Sequence, residues 1–280
     1  MTTLNKRLLP ICPAVALLAL LSFNSQGRAD NIQTLVNDNS SVAIDLSSQT
    51  GMYQWNVDGN NYLAQQWFWY RIGPATPQNS IDTLTLGAVN NTGSSLTADY
   101  TGVGFSLSVS YQLTGGSPGS GLSDVTEQLA INNTSASPLD LHFFQFSHFL
   151  LGSSTVALGK ATVGPNAGLY DEALQQGSGV TLNENVDTVN TPGANHGEAA
   201  IYPHTINSLN GTPGYTLNDN TSAGPGDVTW ALEWDKVLSP AGQAGSSLDI
   251  SKDKNLTIPE PSTWILLSLG LGSVLLRRRR

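Results

Sequence analysis

The sequence predicts an all-β protein, an antiparallel β-sandwich of jelly-roll-like or similar kind, and three observations carry that reading. Apolar and polar residues alternate with period two along several segments. Turn-forming Gly, Pro, Asn and Ser recur between those segments, with 28 glycines and 14 prolines in 280 residues. Helical periodicity is almost absent between residues 30 and 258.

Residues 1–29 have the form of a secretory signal peptide: Lys6 and Arg7, an apolar stretch over 8–23, then Gly27-Arg28-Ala29 as a small-x-small cleavage site. The leader is expected to form a signal helix. It also contains Cys12, the single cysteine. The mature chain, starting near Asp30, therefore has no disulfide, thiol nucleophile or cysteine-ligated metal.

The exported body is expected over 30–258. Asp58-Gly59, between Tyr53-Gln54-Trp55 and an aromatic run over 62–70, reads as the turn of a hairpin, since Asp-Gly readily takes the positive φ angles of a type I′ turn. Phe105, Leu107, Val109, Tyr111 and Leu113 alternate with Ser106, Ser108, Ser110 and Gln112, the pattern of a half-buried strand. Residues 125–131 repeat it less cleanly. Residues 139–150 are apolar on both faces and suit a central strand. Val228, Trp230, Leu232 and Trp234 alternate with Thr229, Ala231, Glu233 and Asp235, which places two tryptophans on one face. Residues 171–176 suit one helical turn, and 164–227, rich in Gly, Pro and Asn, read as long loops or a looser sub-domain. One sandwich with an elaborated second half fits best, with two small β domains as the alternative.

Charge is segregated. Seven of the 12 basic residues lie in the leader or the last four positions, so 30–258 holds five basic residues against twenty acidic ones, a net charge of −15. Such a surface repels phosphate backbones, which excludes nucleic acid as the expected partner.

The last 22 residues contain three elements in order: Pro259-Glu260-Pro261-Ser262, a mostly apolar run, then Arg277, Arg278, Arg279 and Arg280. The two prolines keep the backbone extended and open to a processing enzyme. The apolar run partitions into the bilayer, and the four arginines hold its end on the cytoplasmic side as a membrane stop. Residues 264–276 give about 20 Å of helix against a hydrocarbon core of about 30 Å, a marginal span that flanking arginines extend by snorkelling. A permanent anchor with a proline-stiffened spacer is the alternative.

Pro259-Glu260-Pro261-Ser262-Thr263-Trp264, the Leu/Gly-rich run and the arginine end together resemble the PEP-CTERM sorting signal of Gram-negative bacteria. That resemblance covers under a tenth of the chain. It implies an exported protein that sits transiently in the inner membrane, is processed by exosortase, a membrane-embedded cysteine protease or transpeptidase, and reaches the cell surface or matrix, often beside exopolysaccharide. It assigns no activity to the body.

Within the body no cofactor or metal is expected. His142 and His148, six apart on one strand, share a face but lie about 20 Å apart. His196 and His204 flank Glu198 without a full ligand set. Asn56, Asp58 and Asn60 have the spacing of a calcium loop, but Asn61 stands where glycine is needed and Trp67 where an acid is needed, so turn chemistry explains them. Asn218-Asp219-Asn220 with Asp227 reads the same way. No Gly-x-Ser-x-Gly elbow is present, and Gly116–Gly121 has no following helix. Glu127 with Asp140, or Glu233 with Asp235, supplies the carboxylates a glycosidase needs, without a known separation. Trp67, Trp69 and Tyr70, beside Gln65 and Gln66, form a glycan platform if exposed, and a buried central strand if not. The leading reading is a non-enzymatic envelope or matrix protein, with a carbohydrate-binding module second and a hydrolase third.

Overall fold

The structure, a computed structural model, describes residues 31–151, 159–166, 168–187 and 192–259. The leader over 1–29 and the tail from Glu260 to Arg280, including Pro261, Ser262 and the four arginines, lie outside the described residues, as do the helices expected in both.

The alternation seen in the sequence becomes strand after strand. The chain opens with β1 (Ile32–Asn37), β2 (Ser40–Asp45), β3 (Gly51–Val57), the short β4 (Asn60–Asn61), β5 (Leu63–Ile72) and β6 (Asn79–Ser80). A run of β7 (Thr85–Asn91), β8 (Ser95–Gly102), β9 (Phe105–Gly115) and β10 (Leu122–Asn133) follows, then β11 (Leu139–Phe149). Next come β12 (Gly159–Asn166), β13 (Leu169–Gly177), β14 (Val180–Val186), β15 (His196–Ile201), the helix α1 (His204–Gly211), β16 (Ser222–Gly226), β17 (Val228–Leu238) and β18 (Ser247–Thr257).

Two sheets result. The first runs β1-β2-β3-β5-β11-β17-β15, with β4 added to β3 and β6 to β5; the second runs β16-β12-β13-β14-β18-β10-β9-β8-β7. Their facing sides share one apolar cluster. Tyr70 meets Phe105 across the gap with ring centroids 5.2 Å apart, and Trp55 Nε1 donates to Ser123 Oγ at 2.9 Å. The second sheet is built largely from sequential hairpins, so the jelly-roll order is not adopted.

The central strand expected over 139–150 is β11, paired with β5 on one side and β17 on the other. In β9 inward and outward residues alternate as read from the sequence. Two expectations are corrected. Residues 171–176 are strand, because β12 and β14 supply ladder partners on both sides. The outward face of β17 is also buried at Thr229, Ala231 and Glu233, under α1 and the segment after it. The hairpin at Asp58-Gly59 does have its two positive φ angles, 51° and 84°, but only Asn60 and Asn61 return along β3. The Asn61 side chain accepts from the Trp55 and Leu63 N–H groups at 2.9 and 3.2 Å, closing the ladder, and β5 leaves to join β11.

Gly51 shows how tightly that rearrangement packs. Its φ is +59°, and a Cβ there would lie 2.3 Å from the Trp67 ring and 2.7 Å from the Gln66 carbonyl. Gly51→Ala is expected to destabilise by about 2–3 kcal/mol, combining backbone strain with overpacking; urea unfolding checks it.

Between the sheets lies a buried charged network. Lys252 and Lys254 of β18 continue the inward register set by Leu248 and Ile250. Glu127 of β10 is ion-paired with both lysines, with Oε2 2.8 Å from Lys252 Nζ and 2.6 Å from Lys254 Nζ. Glu184 of β14 lies 3.0 Å from Lys254 Nζ and accepts from Gln145 Nε2 of β11 at 2.9 Å. Burial alone would push the Glu127 carboxyl up; the two ammonium charges outweigh it and hold it below its ordinary range. Burial likewise lowers Lys254, but Glu127 and Glu184 reverse the sign and raise it.

Candidate functional site

The strand register assembles a second charged group on the other side of the first sheet. Arg71 of β5 pairs across from His142 of β11, His142 pairs across from Asp235 of β17, and Glu233 pairs across from His196 of β15. Side chains on one face of four adjacent strands thus form a continuous band.

The band is closed at one end and open at the other. Arg71 is 1% exposed and Glu233 0%, whereas the side chains of Asp235, His196 and Asp140 are 29, 31 and 44% exposed. Arg71 Nη2 lies 3.6 Å from Glu233 Oε1, and Arg71 Nη1 donates to the Tyr215 carbonyl at 3.1 Å. The Leu217 N–H donates to Glu233 Oε2 at 2.8 Å. His142 Nδ1 is hydrogen-bonded to Asp235 and 3.6 Å from Glu233 Oε1, with its Nε2 3.8 Å from Asp140. His196 bridges Asp219, at 3.0 Å, and Asp235, at 3.6 Å.

The lid over the closed end comes from α1 and residues 212–221. Ile206, Leu209 and Leu217 are buried, Trp69 Nε1 donates to Asn210 at 3.1 Å, and Glu198 accepts from the Thr205 and Tyr215 hydroxyls. Burial, then the Glu198 hydrogen bond, pushes the Tyr215 phenol up, so it stays a donor. Burial also raises Glu233 above the usual carboxylate range, against hydrogen bonds from His142 and Leu217.

The Asp235 and Glu233 hydrogen bonds lift His142 to about 9, against burial. This folded-state value lies above the ordinary 6.5. Its stabilising contribution is therefore full below about pH 6.5 and is lost as pH rises through about 9, on the order of 2 kcal/mol. An imidazole NMR titration of His142 with a midpoint near 6.5 would contradict the ion pair.

Several expected candidates are dispersed. Trp67 and Trp69 are both 0% exposed, and Tyr70 packs on Phe105, so the Trp67, Trp69, Tyr70 glycan platform is corrected to a buried central strand. Pairing on both edges of β5, with α1 capping one face, hides rings on both sides. Glu127 and Asp140 cannot act together, because Glu127 sits between the sheets and Asp140 beside His142 on the outer face. His142 and His148 keep separate partners, Asp235 and Asp227. Asp58 caps Gly119 and Gly121 N–H groups at 2.6 and 2.9 Å, tying its turn to the β9–β10 turn.

Glu233 and Asp235 do come together, and with His142 they offer ligand atoms within 4.8 Å of one another. The donor set suits a divalent cation, but Arg71 places a fixed positive charge beside Glu233. Arg71 and His196 were not expected as members of this group. The signal for them is pairing between distant strands, which a single sequence does not display.

The fold and site define a two-sheet antiparallel sandwich with a half-sealed charged band on one outer face. A bacterial glucoamylase complexed with acarbose has a similar fold, with TM-score 0.56 and 8% identity over 87% of this chain and 36% of that chain. A putative aldose 1-epimerase from Escherichia coli K12 gives TM-score 0.51 and 11% identity over 82% of this chain and 99% of that one. These likenesses are of fold. No curated protein matches the chain in sequence. Residues 257–280 match the PEP-CTERM protein-sorting motif, so this is an exported protein sorted at the membrane through its C-terminus. Among the described residues no helix is long and apolar enough to cross a membrane.

Proposed function

We propose that this chain is a non-catalytic component of the cell surface or extracellular matrix, released from transient membrane anchoring by exosortase-type processing after Pro259-Glu260-Pro261-Ser262. The observation that carries this is where the motif begins. The Ile258 N–H donates to the Gly121 carbonyl at 2.8 Å as the final tie of β18, and Pro259 is already exposed. Every described strand ends before the tail starts, so cleavage within the tail leaves all of them in place. Mass spectrometry of the exported protein is the test: a mature C-terminus that ends before Arg280 supports processing, and one that still includes Arg280 overturns it.

The seal supports the non-catalytic reading. Glu233 and Arg71 are inaccessible beneath Tyr215 and Leu217, so their charges hold the lid in place and do not meet a substrate.

A second reading, carbohydrate binding, is favoured by the open end, where Asp140, His142, His196 and Asp235 present convergent hydrogen-bonding groups to solvent. The sandwich architecture of the two sugar-related neighbours is compatible with it. Glycan-array binding by the full chain that falls at least tenfold in Asp235→Asn would support this reading. Binding unchanged in that variant would remove it, and sugar mutarotation or hydrolysis abolished by Glu233→Gln would overturn the non-catalytic assignment.

A further inference from the structure

The network between the sheets contains a nucleophile, an electrophile and two proton carriers in contact. Lys252 Nζ, on a side chain 1% exposed, is hydrogen-bonded to the Oε1 atom of Gln145, which is 0% exposed. The same Nζ lies 2.8 Å from Glu127 Oε2. On the other side of the amide, Gln145 Nε2 donates to Glu184 Oε2 at 2.9 Å and to Ser147 Oγ at 3.1 Å. Lys252 Nζ sits over the Phe68 ring at 4.7 Å and near Trp234 at 6.0 Å, so the surroundings are aromatic and dry.

The hydrogen bond that solvates the Lys252 ammonium also fixes its nitrogen against the carbonyl group of a primary amide, with carboxylates on both sides. The geometry points to an intramolecular isopeptide bond between Lys252 and Gln145, formed autocatalytically with Glu127 and Glu184 as proton carriers. The product would join β18 to β11 and therefore one sheet to the other.

The step balances without an external reagent. The Lys252 ammonium passes one proton to Glu127. The neutral amine attacks Gln145 Cδ, forming the C–N bond, and the bond from Cδ to Nε2 breaks. A second proton leaves Nζ and reaches Nε2 through the carboxylates, so that Nε2 departs as ammonia. Glu127 ends protonated and Glu184 unchanged.

Burial eases the first transfer against the hold of the ammonium charges on Glu127: it keeps Lys252 below its ordinary value even with Glu127 beside it, and a desolvated neutral lysine is an effective nucleophile. Lys254, 2.6 Å from Glu127 Oε2 and 3.0 Å from Glu184 Oε2, keeps a fixed positive charge beside the two proton carriers. Holding the reactants in contact removes the entropic barrier that makes this reaction negligible between free side chains.

The test is intact-mass and peptide mass spectrometry on the full chain as produced. The expected result is a protein lighter than its sequence by one ammonia, tryptic cleavage absent after Lys252, and a branched peptide joining the β11 and β18 segments at Gln145 and Lys252. Lys252→Arg and Gln145→Ala should each restore the full mass. Cleavage after Lys252 with no branched peptide would overturn the proposal. So would an ammonia loss that maps elsewhere, for example to Asn210-Gly211. The wild-type measurement decides the matter even if a variant fails to fold.

Discussion

Lys254→Met is expected to lower the unfolding free energy by about 3–5 kcal/mol, the range for removing one partner from a buried ion network. Methionine has similar length and fills the space, so the loss is electrostatic. In the unlinked protein, with Lys252 not joined to Gln145, Glu127 and Glu184 would keep negative charges in a dry core with Lys252 as the remaining cation. One carboxylate must then take up a proton, which makes stability improve as pH falls, opposite to the wild-type trend in this region. Lys254→Met combined with Glu184→Gln is expected to recover part of the loss, because the orphaned charge goes too. Urea unfolding of both variants at two pH values reads this directly; a single-variant cost below about 1 kcal/mol would mean the network is not ionised.

Trp69→Ala is expected to cost about 3–5 kcal/mol, as large-to-small changes at fully buried aromatics do. The ring packs edge-on to Phe146 at 6.2 Å, and its Nε1–H holds Asn210 at the end of α1. The substitution therefore leaves a cavity and loosens the lid over Glu233 together. Glycan binding should persist in whatever fraction remains folded, since the ring presents no face to solvent. A stable Trp69→Ala protein that had lost glycan binding would contradict the buried-strand assignment.

These two sites differ in how far the sequence reveals them. In β9, alternation and the hydroxyl-rich partner face are local properties, and the strand lies where they put it. Lys252 and Lys254 were accessible to the same reasoning: Leu248, Ile250 and Leu256 set an inward phase that includes both. Their chemistry conceals it, since lysine is the residue least expected inside a core. Trp67 and Trp69 were ambiguous because an aromatic strand reads alike with one face covered or two; α1 decides it, and its short, polar sequence carries little helical signal. The Arg71, His142, Glu233 and Asp235 band depends on strand pairing of Arg71 with His142 and of His142 with Asp235, residues 71 and 93 positions apart, information that appears only with the sheet order. The sorting motif is the opposite case: it is contiguous, so reading it needs no fold.

Burying three of the five basic residues of the body, Arg71, Lys252 and Lys254, leaves Lys160 and Lys236 as the exposed cations. Because Glu127, Glu184, Glu198 and Glu233 are buried too, the surface keeps nearly all of the net negative charge.

The last strand has a mechanical meaning as well. β18 is flanked by β10 and β14, and the sorting tail continues directly from its end. A pull delivered at Pro259 runs along the strand axis and loads the rungs on both flanks in shear, so they resist together. Were the tail attached at an edge strand at right angles to the ladder, the same pull would open the rungs one after another.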